Sequence, residues 1–258
     1  MADIHIPSAL FEEKLAPEGN VEDGCHPEEA QALQEYDQGK ITAEEAAYAI
    51  TRPIETAEEP GNHLHRLWGL LTDALVEWPS AKTPALIRLL DEIEKLPEPT
   101  HLTADPRANA SLPHGPLWKG LPGFGHQWSD EHKWGEWRNA ITRQIDPTER
   151  NELRSRIVNI AGIEAQVAIA SEGRILPLDW GYECISDALE YSGAVLDFEI
   201  PMAAEWFKVA ARRIYEGAVK GERSWAFKKH DLWQGEEMSL ARWSSWESHL
   251  QQVVEGEQ

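Results

Sequence analysis

The sequence predicts an all-α fold, a bundle of about seven or eight helices with two long irregular connections. Three observations lead there. No segment sustains the period-two alternation of a half-buried strand, whereas apolar residues recur every three or four positions in one segment after another. Ser, Thr, Asp or Pro stands before most of those segments, and Gly follows several. Finally, NELRSRIVNIAGIEAQVAIAS, residues 151–171, is apolar on two sides: Leu153, Ile157, Ile160, Ile163 and Val167 share one stripe, with Val158 and Ile169 opposite. A helix of that kind is buried between others rather than laid on a surface.

In chain order, residues 1–26 read as an extended acidic arm. Pro27 opens a short helix to Gln38, stopped by Gly39. Thr42 with Glu45 forms a capping box for a second helix that ends before Pro53. A linker over 52–61 then separates an acidic N-terminal part, 1–60, from a helical bundle domain, 61–258. Leu64, Leu67, Trp68, Leu71 and Leu75 mark a helix over 63–77, ended by Trp78-Pro79. Thr83-Pro84 restarts one that carries Leu86, Leu89, Leu90 and Ile93.

Six prolines and four glycines make 97–128 irregular, longer than the roughly 12–15 residues of ordinary loops. Ser129 is expected to cap a helix bearing Trp134 and Trp137. Asp146-Pro147 with Glu149 starts the central helix, which Gly173 stops. Pro177 begins a helix through Tyr191. Pro201 opens another that ends at Gly217. A second irregular stretch covers 218–238, and a last helix runs over 239–254.

The chain has 258 residues, 41% of them apolar, and a formal net charge of −21. Residues 1–60 hold 15 acids and 3 bases, so −12 of that charge lies there. This acidity argues against nucleic acid and anionic membrane as partners. No apolar run reaches the roughly 18 residues of a membrane span. The start shows no signal-peptide pattern. Cys25 and Cys184 fit reduced thiols, and a cytoplasmic location is expected.

Twelve tryptophans against five Phe and five Tyr invert the usual aromatic ratio. Indoles on helix stripes belong to a core; those in the irregular stretches also suit a pocket wall. Leu117-Trp118-Lys119-Gly120 precedes Trp134 and Trp137, and Leu232-Trp233-Gln234-Gly235 precedes Trp243 and Trp246. Each Leu-Trp-x-Gly turn either pins a loop to a helix or helps close a lid over a cavity. The runs PLWKGLPGFGHQWSDEHKWGEW, EIPMAAEWFKVAARRIYEG and LWQGEEMSLARWSSWESHL resemble a fungal family of helical proteins classed only as a domain of unknown function, over about residues 62–250. The resemblance implies an all-helical fold and a setting in secondary metabolism, and transfers no catalytic residue.

Glycine loops for phosphates, a GxSxG elbow and HExxH spacing are all absent, so no cofactor and no metal is expected. Asp179, Glu183, Asp187 and Glu190 share a helical face read as solvated. Glu164 is different. It falls inside the main apolar stripe, where a carboxylate needs a partner from elsewhere or a proton. Its expected roles are a structural hydrogen bond or a general acid or base, with His126 as its partner. Two functions follow. One is a pocket for an apolar small molecule, walled by Trp68, Trp118, Trp128, Trp134, Asn159, Trp180, Trp206 and Trp233, working as a cofactor-independent cyclase, isomerase or dehydratase. The other is a non-enzymatic module that takes a partner helix. Oligomeric state is not encoded in any pattern found.

Overall fold

A computed structural model describes residues 24–57, 60–99, 116–133, 136–142, 146–227 and 230–256. Among these every named element is a helix, and Arg223 and Glu237 form an isolated antiparallel bridge. The chain divides into two compact units, Met1–Gly135 and Glu136–Gln258.

The first unit contains α1 (Pro27–Asp37), α2 (Ala43–Glu55), α3 (Gly61–Glu77), a 3-10 turn at Ser80–Lys82, α4 (Thr83–Glu94) and α5 (Phe124–His132). α2 packs on α1 and α4, and α3 packs on α5, α2 and α4. The short helices expected as an acidic arm therefore share a core with α3 and α4. Leu33, Ile50, Ile54, Leu67, Leu89 and Ile93 are all buried there. Thr42 and Glu45 form the expected capping box.

Three expected boundaries move. α2 continues through Pro53 to Glu55, because a proline in the last turn costs only one ladder hydrogen bond. The Thr56 hydroxyl donates to the carbonyls of Arg52 and Pro53 there. Thr83 lies within α4 rather than capping it. Ser129 lies inside α5, whose start is set by Gly123 at φ 84 within the stretch read as irregular; the Trp137 helix is a separate one.

At the start of α1 Glu29 is fully buried, and its carboxylate accepts the His26 N–H at 2.8 Å. His26 stacks on His63 with ring centroids 5.3 Å apart. Burial pushes the Glu29 carboxyl up to about 7, against a backbone hydrogen bond from His26 and the charge of Arg66, which pull it down. A raised acid favours the protonated folded state. The stability it contributes is complete below about 4.5, the ordinary value, and is lost as pH rises through 7. The same burial lowers His26, whose effect is lost in the opposite direction, below 6.5. Glu29→Gln keeps a capping acceptor. It is expected to abolish most of the stability loss between pH 5 and 8, on the order of 2–3 kcal/mol, in urea melts of the two proteins at both pH values.

The second unit contains α6 (Glu136–Thr142), α7 (Pro147–Ala170), α8 (Asp179–Glu190), α9 (Leu196–Lys220) and α10 (Leu240–Glu255). α7 packs along α9 and touches α8, as its two apolar sides require. Its start is as expected, with the Asp146 carboxylate accepting the Thr148 N–H at 2.7 Å. Ile157, Ile160, Ile163 and Val167 are buried. α9 starts five residues before Pro201, which sits in its second turn, and runs through Gly217. Gly221, at φ 66, ends it. The α8–α9 crossing is close because Gly181 faces Trp206: a Cβ on Gly181 would lie 2.5 Å from the indole.

Candidate functional site

The described residues of the connection from α9 to α10, 221–227 and 230–239, contain no helix, yet they are fixed at many points. Arg213 on α9 holds Glu222 through two hydrogen bonds, at 2.6 and 2.7 Å, and the Tyr182 hydroxyl donates to the same carboxylate at 3.0 Å. Arg213 keeps the Glu222 carboxyl below its ordinary value, while burial and that carboxylate push the Tyr182 hydroxyl up. The Met238 N–H donates to the Glu222 carbonyl at 2.7 Å, closing the segment on itself. Ser224 donates to Asp179 on α8. The Leu232 N–H donates to the Glu190 carbonyl at 3.0 Å, and Asp231 accepts the Ser192 N–H at 3.0 Å.

Beneath the segment lies a buried ion pair. Arg242 is 0% exposed and Glu190 1%. Their bidentate contact spans 2.6 and 2.7 Å, and the Trp246 indole N–H donates to Glu190 at 2.7 Å. The remaining Arg242 donors reach the Gly235 and Glu237 carbonyls at 3.2 and 3.0 Å. Its guanidinium lies 3.7 Å over the Phe227 ring. Each charge is thus matched, the condition under which a buried pair is tolerated. The acidic face expected to be solvated on α8 is only partly so: Glu190 is buried with Arg242, while Asp179 and Asp187, both half-buried, take Ser224 and, at 3.2 Å, Arg138. Facing elements that lie far away in sequence supply those partners, so the helix read alone shows only repulsion.

On this support sits an open groove of about 390 Å³, lined by Arg223, Ser224, Trp225, Phe227 and Glu236. Phe227 is buried, whereas Trp225 is 66% exposed, the most exposed large apolar side chain among the described residues. Arg223 and Glu236 approach to 3.5 Å at the groove. An indole face flanked by one cation and one anion can stack on a planar or cationic group and offer a carboxylate beside it.

The expected site residues are distributed differently. Trp68, Trp118 and Trp128 are core residues of the first unit. The Trp68 indole donates to the Pro122 carbonyl at 2.8 Å and meets Trp118 edge-on at 6.5 Å. Glu98 accepts the N–H groups of Leu117, Trp118 and Lys119 at 2.6, 3.0 and 3.3 Å, so this Leu-Trp-x-Gly turn is pinned to its own unit. Trp180 and Trp206 are buried in the second unit. Trp233 and Asn159 are half-buried, and Trp233 lies 5.9 Å from the Arg242 guanidinium. Trp134 lies outside the described residues.

Glu164 is buried on α7, 4% exposed. His126 belongs to the first unit, where its side chain is 83% exposed and 3.3 Å from Asp130. His126 thus lies in the first unit and Glu164 in the second. Trp225 is one of the indoles of the irregular stretches that suit a pocket wall, whereas nothing in the sequence marks Arg223 and Arg242. A Trp on no helical stripe, following an Arg and a Ser, was the signal available for the groove.

One donor set was also hidden by sequence distance. Asp73 on α3 and Glu131 and His132 on α5 each bring a ligand atom within 4.8 Å of the others. None of the spacings sought in the sequence covers that combination.

No helix among the described residues is long and apolar enough to cross a membrane. No curated protein and no solved structure matches the chain. A family model does match residues 68–250, more than half of the chain, and the chain belongs to the family described as Protein of unknown function (DUF3632).

Proposed function

We propose that the chain is a binding module whose second unit receives a short, positively charged segment of a partner protein in the groove beside Trp225. The observation that carries this is the exposure of Trp225 on a connection that the Glu190–Arg242 pair and its neighbours hold in place. Tryptophan is enriched among binding hot spots, and this one stands exposed on a well-anchored backbone. The net charge of −21 attracts and steers a basic segment. The indole face accommodates its Lys or Arg, and Glu236 offers a counter-charge.

The alternative, an apolar small molecule bound for cofactor-free chemistry in a fungal biosynthetic setting, draws its support from the buried Glu164. The groove itself is open and mixes charged with aromatic side chains, which favours a peptide over an apolar metabolite.

Titrating labelled peptides of equal length, basic, neutral and acidic, against the full chain by fluorescence anisotropy tests the proposal. Basic peptides are expected to bind tightest, and Trp225→Ala to weaken them at least tenfold without changing the melting temperature, since the indole buries little on folding. Equal binding of acidic and basic peptides, or full affinity in the Trp225→Ala protein, would overturn it. Thermal stabilisation by apolar metabolites that persists in that variant would favour the small-molecule reading instead.

A further inference from the structure

From the packing of α3 against α5 in the first unit we infer a divalent transition-metal site formed by Asp73, Glu131 and His132. It is independent of the groove. One carboxylate oxygen from each acid and one imidazole nitrogen lie within 4.8 Å of one another. Ligand atoms bound to one ion at about 2.0–2.2 Å sit roughly 3–3.5 Å apart. Side-chain rotations of about an ångström therefore close the set, with no backbone shift.

The surroundings are those of a positioned site. The His132 side chain is only 3% exposed, and its ring meets Trp128 edge-on at 4.8 Å. Both Glu131 oxygens are oriented: Thr72 donates to Oε2 at 2.7 Å and Gln127 to Oε1 at 2.6 Å. Hydrogen bonds of that kind fix ligating carboxylates and set metal affinity. Two carboxylates and an imidazole, of which Glu131 is exposed and Asp73 and His132 are half-buried, form a donor set that suits a divalent cation. One nitrogen and two oxygen donors suit zinc, manganese or iron(II) better than calcium or magnesium, which take oxygen ligands. Three protein ligands leave coordination positions for water. A protonated His132 bridging the two acids accounts for the same packing, and it makes the opposite prediction for metal binding.

The test uses the full chain, stripped with chelator and titrated with Zn²⁺ and Mn²⁺ by calorimetry, with melting temperatures recorded alongside. One equivalent is expected to bind and to raise the melting temperature. Asp73→Asn and His132→Asn each weaken binding at least tenfold, and Thr72→Val, which removes only the hydroxyl that orients Glu131, weakens it about tenfold. His126→Ala, an exposed histidine outside the cluster, leaves binding unchanged and controls for surface imidazole. If the ligand variants fail to fold by circular dichroism, Thr72→Val decides. No saturable one-to-one binding, or binding that survives Thr72→Val and any folded ligand variant at full strength, would overturn the inference and leave the protonated bridge.

Discussion

Arg242→Met is expected to destabilise the second unit by about 3–5 kcal/mol, because it leaves the Glu190 carboxylate buried without its charge partner. The effect is large because nothing dilutes it. Arg242 is 0% exposed, it makes two hydrogen bonds to Glu190, and its other donors hold the Gly235 and Glu237 carbonyls. Removing it therefore frees the connection as well as unbalancing the charge. Glu190→Gln is expected to cost a similar amount: the amide oxygen still accepts the Trp246 N–H, but the Arg242 guanidinium is left buried without its counter-charge. Replacing both partners with apolar residues should recover much of the loss of Arg242→Met, as buried pairs often contribute little net stability over a packed apolar pair. Urea unfolding of the three variants and the wild type measures this. Near-equal stability of Arg242→Met and the wild type would mean that water reaches the pair.

The second large effect is at the α8–α9 crossing. Trp206→Ala is expected to cost about 3–5 kcal/mol through the cavity it leaves, since Trp206 is fully buried. Gly181→Ala is expected to cost about 1–3 kcal/mol by overpacking, because the new methyl would lie 2.5, 2.7 and 2.9 Å from three atoms of the indole. The two are strongly coupled. In a Trp206→Ala background the Gly181 methyl has space to enter, so the double variant should be no less stable than Trp206→Ala alone. Additive losses would place the cause of the Gly181 effect in the helix backbone instead of the ring contact.

The helices were legible where signals were local. Asp146-Pro147 and the Thr42–Glu45 box are each contained within a turn of chain, and each has its counterpart in the structure; of the two-sided apolar pattern of 151–171, Ile157, Ile160, Ile163 and Val167 are buried and Val158 and Ile169 half-buried. Pro53 and Pro201 were misread because a proline near a helix end costs one hydrogen bond and not the helix. The candidate sites were much less legible. Glu190 looked solvated because its partner, Arg242, is 52 residues away. Asp73 and Glu131 meet only because α3 packs on α5. Most tryptophans read as pocket walls are core, whereas the exposed one, Trp225, sits on an irregular segment whose order comes from side-chain hydrogen bonds that no periodicity records.

The groove beside Trp225 requires the connection between α9 and α10 to be a built surface and not a loose loop. Amide hydrogen exchange of Leu232 and Met238 tests that directly, because their N–H groups donate to the carbonyls of Glu190 and Glu222. Both are predicted to exchange at least about a thousandfold more slowly than an unstructured peptide, as groups that open only with their unit do. Exchange within about tenfold of the unstructured rate would show the connection opening on its own, and the groove beside Trp225 would not be a preformed site.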